Sequence, residues 1–236
     1  MFCNTPMRAK ESGNAMFYIL IAVALLAALT VAVANSGRSS IQSVASERQT
    51  LMAGEILDYS DAIKKSVQML RLRSVTFTRL EFDDPALTGY ANAACTTTDC
   101  MIFNEAGGGA VYTAPQSDAL TAAADWVFVA NNEIENIGRT LGTAAGSDLL
   151  MVLRPLNKGV CIAINDALSV TNSGTDGDPP EDTGIDITVP FIGATAYSMS
   201  VGDEVTAESL GGGHMAACFR DLTAGEYVFY QVLLPR

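Results

Sequence analysis

Between Ala15 and Ala34 the chain reads AMFYILIAVALLAALTVAVA, twenty consecutive residues with no charge and one aliphatic hydroxyl, Thr30. No other feature restricts the fold as tightly. Twenty helical residues rise roughly 30 Å, the thickness of a bilayer's hydrocarbon core. Ten of them are Leu, Ile, Val or Phe, and at about −0.3 to −0.6 kcal/mol each they favour insertion by roughly 3 to 6 kcal/mol. A core helix of a soluble protein seldom runs this far without a polar face. The run therefore predicts a membrane-spanning helix over 15–34.

Charge is segregated around that run. Residues 1–13 form a short polar leader with Arg8 and Lys10 against Glu11. Residues 35–80 carry seven basic and four acidic side chains, a balance of +3, whereas 81–236 carry five basic and twenty-one acidic, a balance of −16. Phosphate backbones need a basic face, so a chain of net charge −12 is not expected to bind nucleic acid. With 49% apolar residues, it has ample surface to bury and is not a disordered chain.

Downstream of the run, Ile41, Val44, Leu51, Ile56, Tyr59, Ile63, Val67 and Leu70 recur at helical spacing, while Glu47, Arg48, Asp61, Lys64 and Lys65 lie mostly off that stripe. This predicts an amphipathic continuation of the helix, with Asn35-Ser36-Gly37 as its weak point. Residues 75–236 then read as a mainly antiparallel α+β head with short helices. Strands are expected at 75–82, 101–104, 111–113, 125–130, 185–189, 196–201 and 227–234, and 148–153 reads as a strand or the start of a helix. A helical turn is expected over 132–138, a helix over 159–168, and loops over 83–100 and 171–184.

The order Lys10-Glu11-Ser12-Gly13, then Asn14-Ala15-Met16-Phe17-Tyr18 and the apolar run, resembles the type IV pilin and pseudopilin superfamily over about residues 8–72. The resemblance implies cleavage by a prepilin peptidase between Gly13 and Asn14, with the apolar helix retained. It also implies a subunit held in the bacterial inner membrane before assembly with other pilin-like subunits. Its head would lie in the periplasm or on an extracellular filament. Lateral packing would fall to Phe17, Tyr18, Ile21, Ala24, Leu25, Ala28 and Leu29, small Ala24 and Ala28 letting helices approach closely. The family usually has Glu where this chain has Tyr18, which points to a minor or tip subunit. Two other fates are compatible with the residues: a single-pass anchored scaffold or binding protein that does not polymerise, and a secreted protein cut after the Ala32-Val33-Ala34 pattern.

Five cysteines are present. Cys3 lies in the leader and leaves an even four on cleavage. Four allow three connectivities; the preferred pairing is Cys95 with Cys100 and Cys161 with Cys218, and buried thiols or a zinc site are the alternatives. No catalytic residue is identified: the lone histidine, His214, follows Gly211-Gly212-Gly213, and no GxSxG, HExxH, Walker A or GxGxxG pattern occurs. A structural protein rather than an enzyme, with no cofactor, is expected. One loop is dense in carboxylates, with Asp176, Asp178, Glu181, Asp182 and Asp186 in eleven residues. Calcium takes several oxygen ligands from such loops, although the spacing is not that of an EF-hand.

Overall fold

The computed structural model describes residues 14–139, 142–195, 197–201 and 213–236, and within its first helix the side chains of 16–31 and 44–72. The leader 1–13, with Cys3 and Gly13, lies outside the described residues. Two compact units divide the chain, Met1–Glu47 and Arg48–Arg236.

In the first unit the described residues belong to helix α1, Asn14–Leu72, which continues through Asn35-Ser36-Gly37 without interruption. Two parts of the expected architecture are overturned. Among the described residues no helix is long and apolar enough to cross a membrane. The apolar side chains described run from Met16 to Val31, about 24 Å of helix at 1.5 Å per residue against roughly 30 Å of hydrocarbon. The expected antiparallel head is also corrected, because its sheet is mixed.

The second unit begins inside α1, at Arg48 rather than at residue 75. Met52, Ala53, Ile56, Ile63, Val67 and Leu70 are its buried stripe. Val44 and Leu51, expected on that stripe, are exposed; Met52 and Ala53 turn inward instead, one residue round the helix. At the C-terminus Ser74 adopts φ 66° and Val75 N–H donates to Leu70 O at 3.1 Å. This left-handed ending satisfies the last carbonyls, and Arg71 adds a bond to Val75 O at 2.8 Å.

Six strands form one sheet: β1 Val127–Ile134, β2 Asp148–Leu156, β3 Glu181–Asp182, β4 Met199–Val201, β5 Ala216–Asp221 and β6 Glu226–Leu234. Their order is β3-β5-β6-β2-β1-β4. The inner pairs are antiparallel, while β4 joins β1 and β3 joins β5 in parallel. The connections to those edge strands are long enough for the crossover that parallel pairing requires. Both faces are covered. Phe128, Met151, Leu153, Cys218 and Phe229 pack toward the α1 stripe and helix α2, Lys158–Leu168. Val129, Leu150, Val152, Phe219 and Tyr230 form a second core with Ile134, Val170, Ile185 and Val201. That double burial explains why Leu149-Leu150-Met151-Val152-Leu153 is continuously apolar rather than alternating.

Between α1 and β1 the chain builds irregular layers. The strand expected over 75–82 is instead a 3-10 turn, Phe77–Arg79, followed by a single bridge from Glu81 to Met101. Aromatic packing wins over alternation there: Phe77 and Phe82 both meet Phe191, at 5.0 and 6.0 Å between ring centres, and Phe82 stacks on Phe128 at 4.2 Å. The expected strands at 101–104, 111–113 and 185–189 are likewise turns or extended chain, and 132–138 splits between the end of β1 and a turn. Gly107 holds this layer close: a Cβ there would sit 2.1 Å from Met101 O and 2.6 Å from Thr98 O.

Candidate functional site

The apolar segment of α1 presents side chains with nothing over them in the described structure. Met16 through Val31 are exposed throughout, the large apolar ones by 40% to 77%. Phe17, Tyr18, Ile21, Ala24, Leu25, Ala28 and Leu29, the residues expected to pack, all belong to this surface. So do Ile19, Leu20, Val23 and Leu26, so the bare surface encircles the helix instead of forming one stripe. The one aliphatic hydroxyl is withdrawn: Thr30 donates to its own helix, at 2.8 Å to Ala27 O and 3.1 Å to Leu26 O. Asn14 is the first residue of α1, whereas its processing partner Gly13 is outside the described residues.

Both expected disulfides are present. Cys95 and Cys100 close a short loop, and Cys161 of α2 joins Cys218 of β5 across the sheet face. Asn165, one turn after Cys161, backs the second bridge. Its amide donates to Cys218 O at 2.7 Å and its carbonyl accepts from Cys218 N–H at 2.8 Å. Asn165 thereby stands in for a neighbouring strand where β3 is too short to cover β5.

The five loop carboxylates do not converge. Asp178 pairs with Lys158, and Glu181 with Arg220 at 2.8 Å. Asp182 is buried and accepts from Thr183 N–H and hydroxyl at 2.6 and 3.1 Å. Burial alone would raise the Asp186 pKa, but bonds from Ser198 and Thr188 outweigh it and hold the group below its ordinary value. The Asp186 backbone is bound to the Asn132 side chain on β1, and Asp176 occupies a left-handed position, φ 62°. Among the described residues no three His, Cys, Asp or Glu side chains are gathered as a metal would need. His214 is used through its backbone, its carbonyl accepting from the Tyr230 hydroxyl at 3.0 Å.

Two features escaped the sequence reading. One is a buried carboxylate, Asp148, at the start of β2. It accepts from Ile134 N–H and Arg236 N–H, each at 2.9 Å, and burial pushes it up to about 6. The other is a cleft of about 530 Å³ between α1 and the 113–119 segment. Tyr59 and Trp126 form its aromatic wall, 5.3 Å apart and tilted by 35°. Their polar tips are both used by Thr113: its N–H donates to the Tyr59 oxygen at 3.1 Å and its carbonyl accepts from the Trp126 indole at 3.0 Å. Burial drives the Tyr59 phenol up to about 12, with the Asp84 charge adding to it. Glu55 and Asp58 also line the cleft, one helical step apart, and Gln116 donates to Glu55 across it. The spacing of 55, 58 and 59 on a helix was visible in the sequence; the segment that closes over them was not. Comparison of the chain with protein-family models, with curated proteins and with solved structures finds no match.

Proposed function

We propose that this chain is a structural subunit of a filament like those built by type IV pilins and pseudopilins, joined to other copies through the apolar segment of α1. The observation that carries the reading is the encircling exposed apolar surface from Met16 to Val31. An apolar surface of that extent marks an interaction site. It carries no charge, and apart from the Tyr18 phenol it offers a polar partner almost nothing to bind. Ala24 and Ala28, one turn apart, leave shallow places beside Leu25 and Leu29 into which the side chains of another copy would fit. The Gly13-Asn14 junction in front of the segment supports processing by a prepilin-type peptidase. Two disulfides support a head outside the cytoplasm, where such bonds persist.

The test is Ala24→Leu together with Ala28→Leu, which fills the shallow places. Chemical cross-linking of the native protein should give a ladder of multimers that the double variant loses, with the head still folded by its thermal transition. A variant that cross-links as well as the parent refutes packing through this segment. A parent recovered only as a monomer with the membrane fraction favours an anchored scaffold instead.

A further inference from the structure

The cleft between α1 and the 113–119 segment is independent of the assembly surface and has a definite chemistry. Its base is apolar, with Met52, Ile56 and the Tyr59 and Trp126 rings. The Trp126 N–H is taken by the Thr113 carbonyl and the Tyr59 oxygen accepts from Thr113 N–H, so the aromatic wall offers mainly carbon surface and π-electron density. The charge lining it is of one sign: Glu55 and Asp58 contribute carboxylates, and among the described residues no Lys, Arg or His lines the cleft. Neither carboxylate takes part in an ion pair among the described residues. Its volume of about 530 Å³ falls within the range of small-molecule pockets. The surrounding chain from 81 to 236, at −16, raises the local concentration of cations and excludes anions.

We propose that this cleft binds a small organic cation, an ammonium group on a compact apolar body. Glu55 and Asp58 hold the ammonium at the rim. Met52, Ile56, Tyr59 and Trp126 hold the body, and the ring faces add cation–π attraction. A bare metal ion is a poorer match, because most of the lining is carbon. A neutral apolar compound would gain nothing from the two carboxylates at the rim.

Trp126 is the chain's only tryptophan, so its emission reports on this cleft alone. The full chain, held in nonionic detergent, is titrated with cyclohexylmethylammonium, with the isosteric alcohol cyclohexylmethanol, and with cyclohexylacetate. The ammonium should change Trp126 emission saturably, and the alcohol should need at least a tenfold higher concentration for half-saturation. The carboxylate should give no saturable change. In the variant Glu55→Gln with Asp58→Asn the preference for ammonium over alcohol should fall below threefold. Both sites are exposed, and an unaltered melting temperature confirms that the variant is folded. The proposal is overturned if the alcohol binds as well as the ammonium, if the double variant keeps the preference, or if no probe changes the emission.

Discussion

Removing the disulfides one at a time gives a sharp energetic test, because the two bridges differ in the length of chain they close. Cys95 and Cys100 are five apart in sequence, whereas Cys161 and Cys218 are 57 apart. The chain-entropy treatment of a cross-link puts its stabilisation at about 2 kcal/mol for the first and about 4 kcal/mol for the second at 25 °C. The structure widens the gap. Cys161 and Cys218 are both fully buried, among Val160, Ile164 and Phe229, and their bond fixes α2 to the sheet beside Asn165. Cys95 is only partly covered. Paired Cys→Ala variants should therefore lose about 2 kcal/mol at 95/100 and about 4 kcal/mol or more at 161/218, measured by urea unfolding with the parent as reference. Thiol labelling supplies a second readout. Under mild reduction of the native protein, Cys95 should be modified first, and the buried Cys100, Cys161 and Cys218 only on unfolding. Equal costs, or a larger loss at 95/100, would refute the reasoning.

Further expectations concern the interior. Because the Asp148 pKa is raised to about 6 by burial, the folded state holds that proton more tightly than the unfolded chain, whose Asp titrates near 3.8. Stability from this group is present below 3.8 and is lost as pH rises to about 6. Relative to Asp148→Asn, the parent should thus lose roughly 2 kcal/mol between pH 4 and pH 7; a difference independent of pH contradicts the assignment. Gly107→Ala should cost more than about 3 kcal/mol in unfolding experiments, since a Cβ would meet two backbone carbonyls that cannot move aside cheaply. Ile63→Ala should cost roughly 2–5 kcal/mol, whereas exposed Leu51→Ala should stay within about 0.5 kcal/mol; similar losses at both would mean that the buried stripe is misplaced.

Elements whose own residues decide their state were readable in the sequence. Trp126-Val127-Phe128-Val129 and Tyr227–Leu234 each supply a β-rich apolar run and became strands, while Leu149–Leu153, equally compatible with a helix start, was settled as a strand by its pairing with β1 and β6. Helix α2 followed from Val160, Cys161 and Ile164 falling on one face. Strand β5 was missed because Ala216-Ala217-Cys218 has weak strand preference. The available signal was the turn at Leu222–Gly225, which sets it against β6. Segments 75–82 and 185–189 alternate as strands do, yet their backbones are bent to serve aromatic packing at Phe191 and the bonds between Asn132 and Asp186. Long-range pairing of that kind leaves no local trace. The loop carboxylates illustrate the same limit. Proximity in sequence suggested one ligand set, while Lys158 and Arg220, distant in sequence, draw two of them apart. Glu55, Asp58 and Tyr59 come from α1, while Thr113 and Trp126 come from segments more than fifty residues further along, so only the helical spacing on α1 was legible.

The account depends most on the apolar segment remaining attached to the head and acting between copies. N-terminal sequencing of the native protein, recovered from sedimentable assemblies, tests this most directly. A chain beginning at Asn14 is the predicted result. One beginning at Asn35, with residues 14–34 removed, would contradict it.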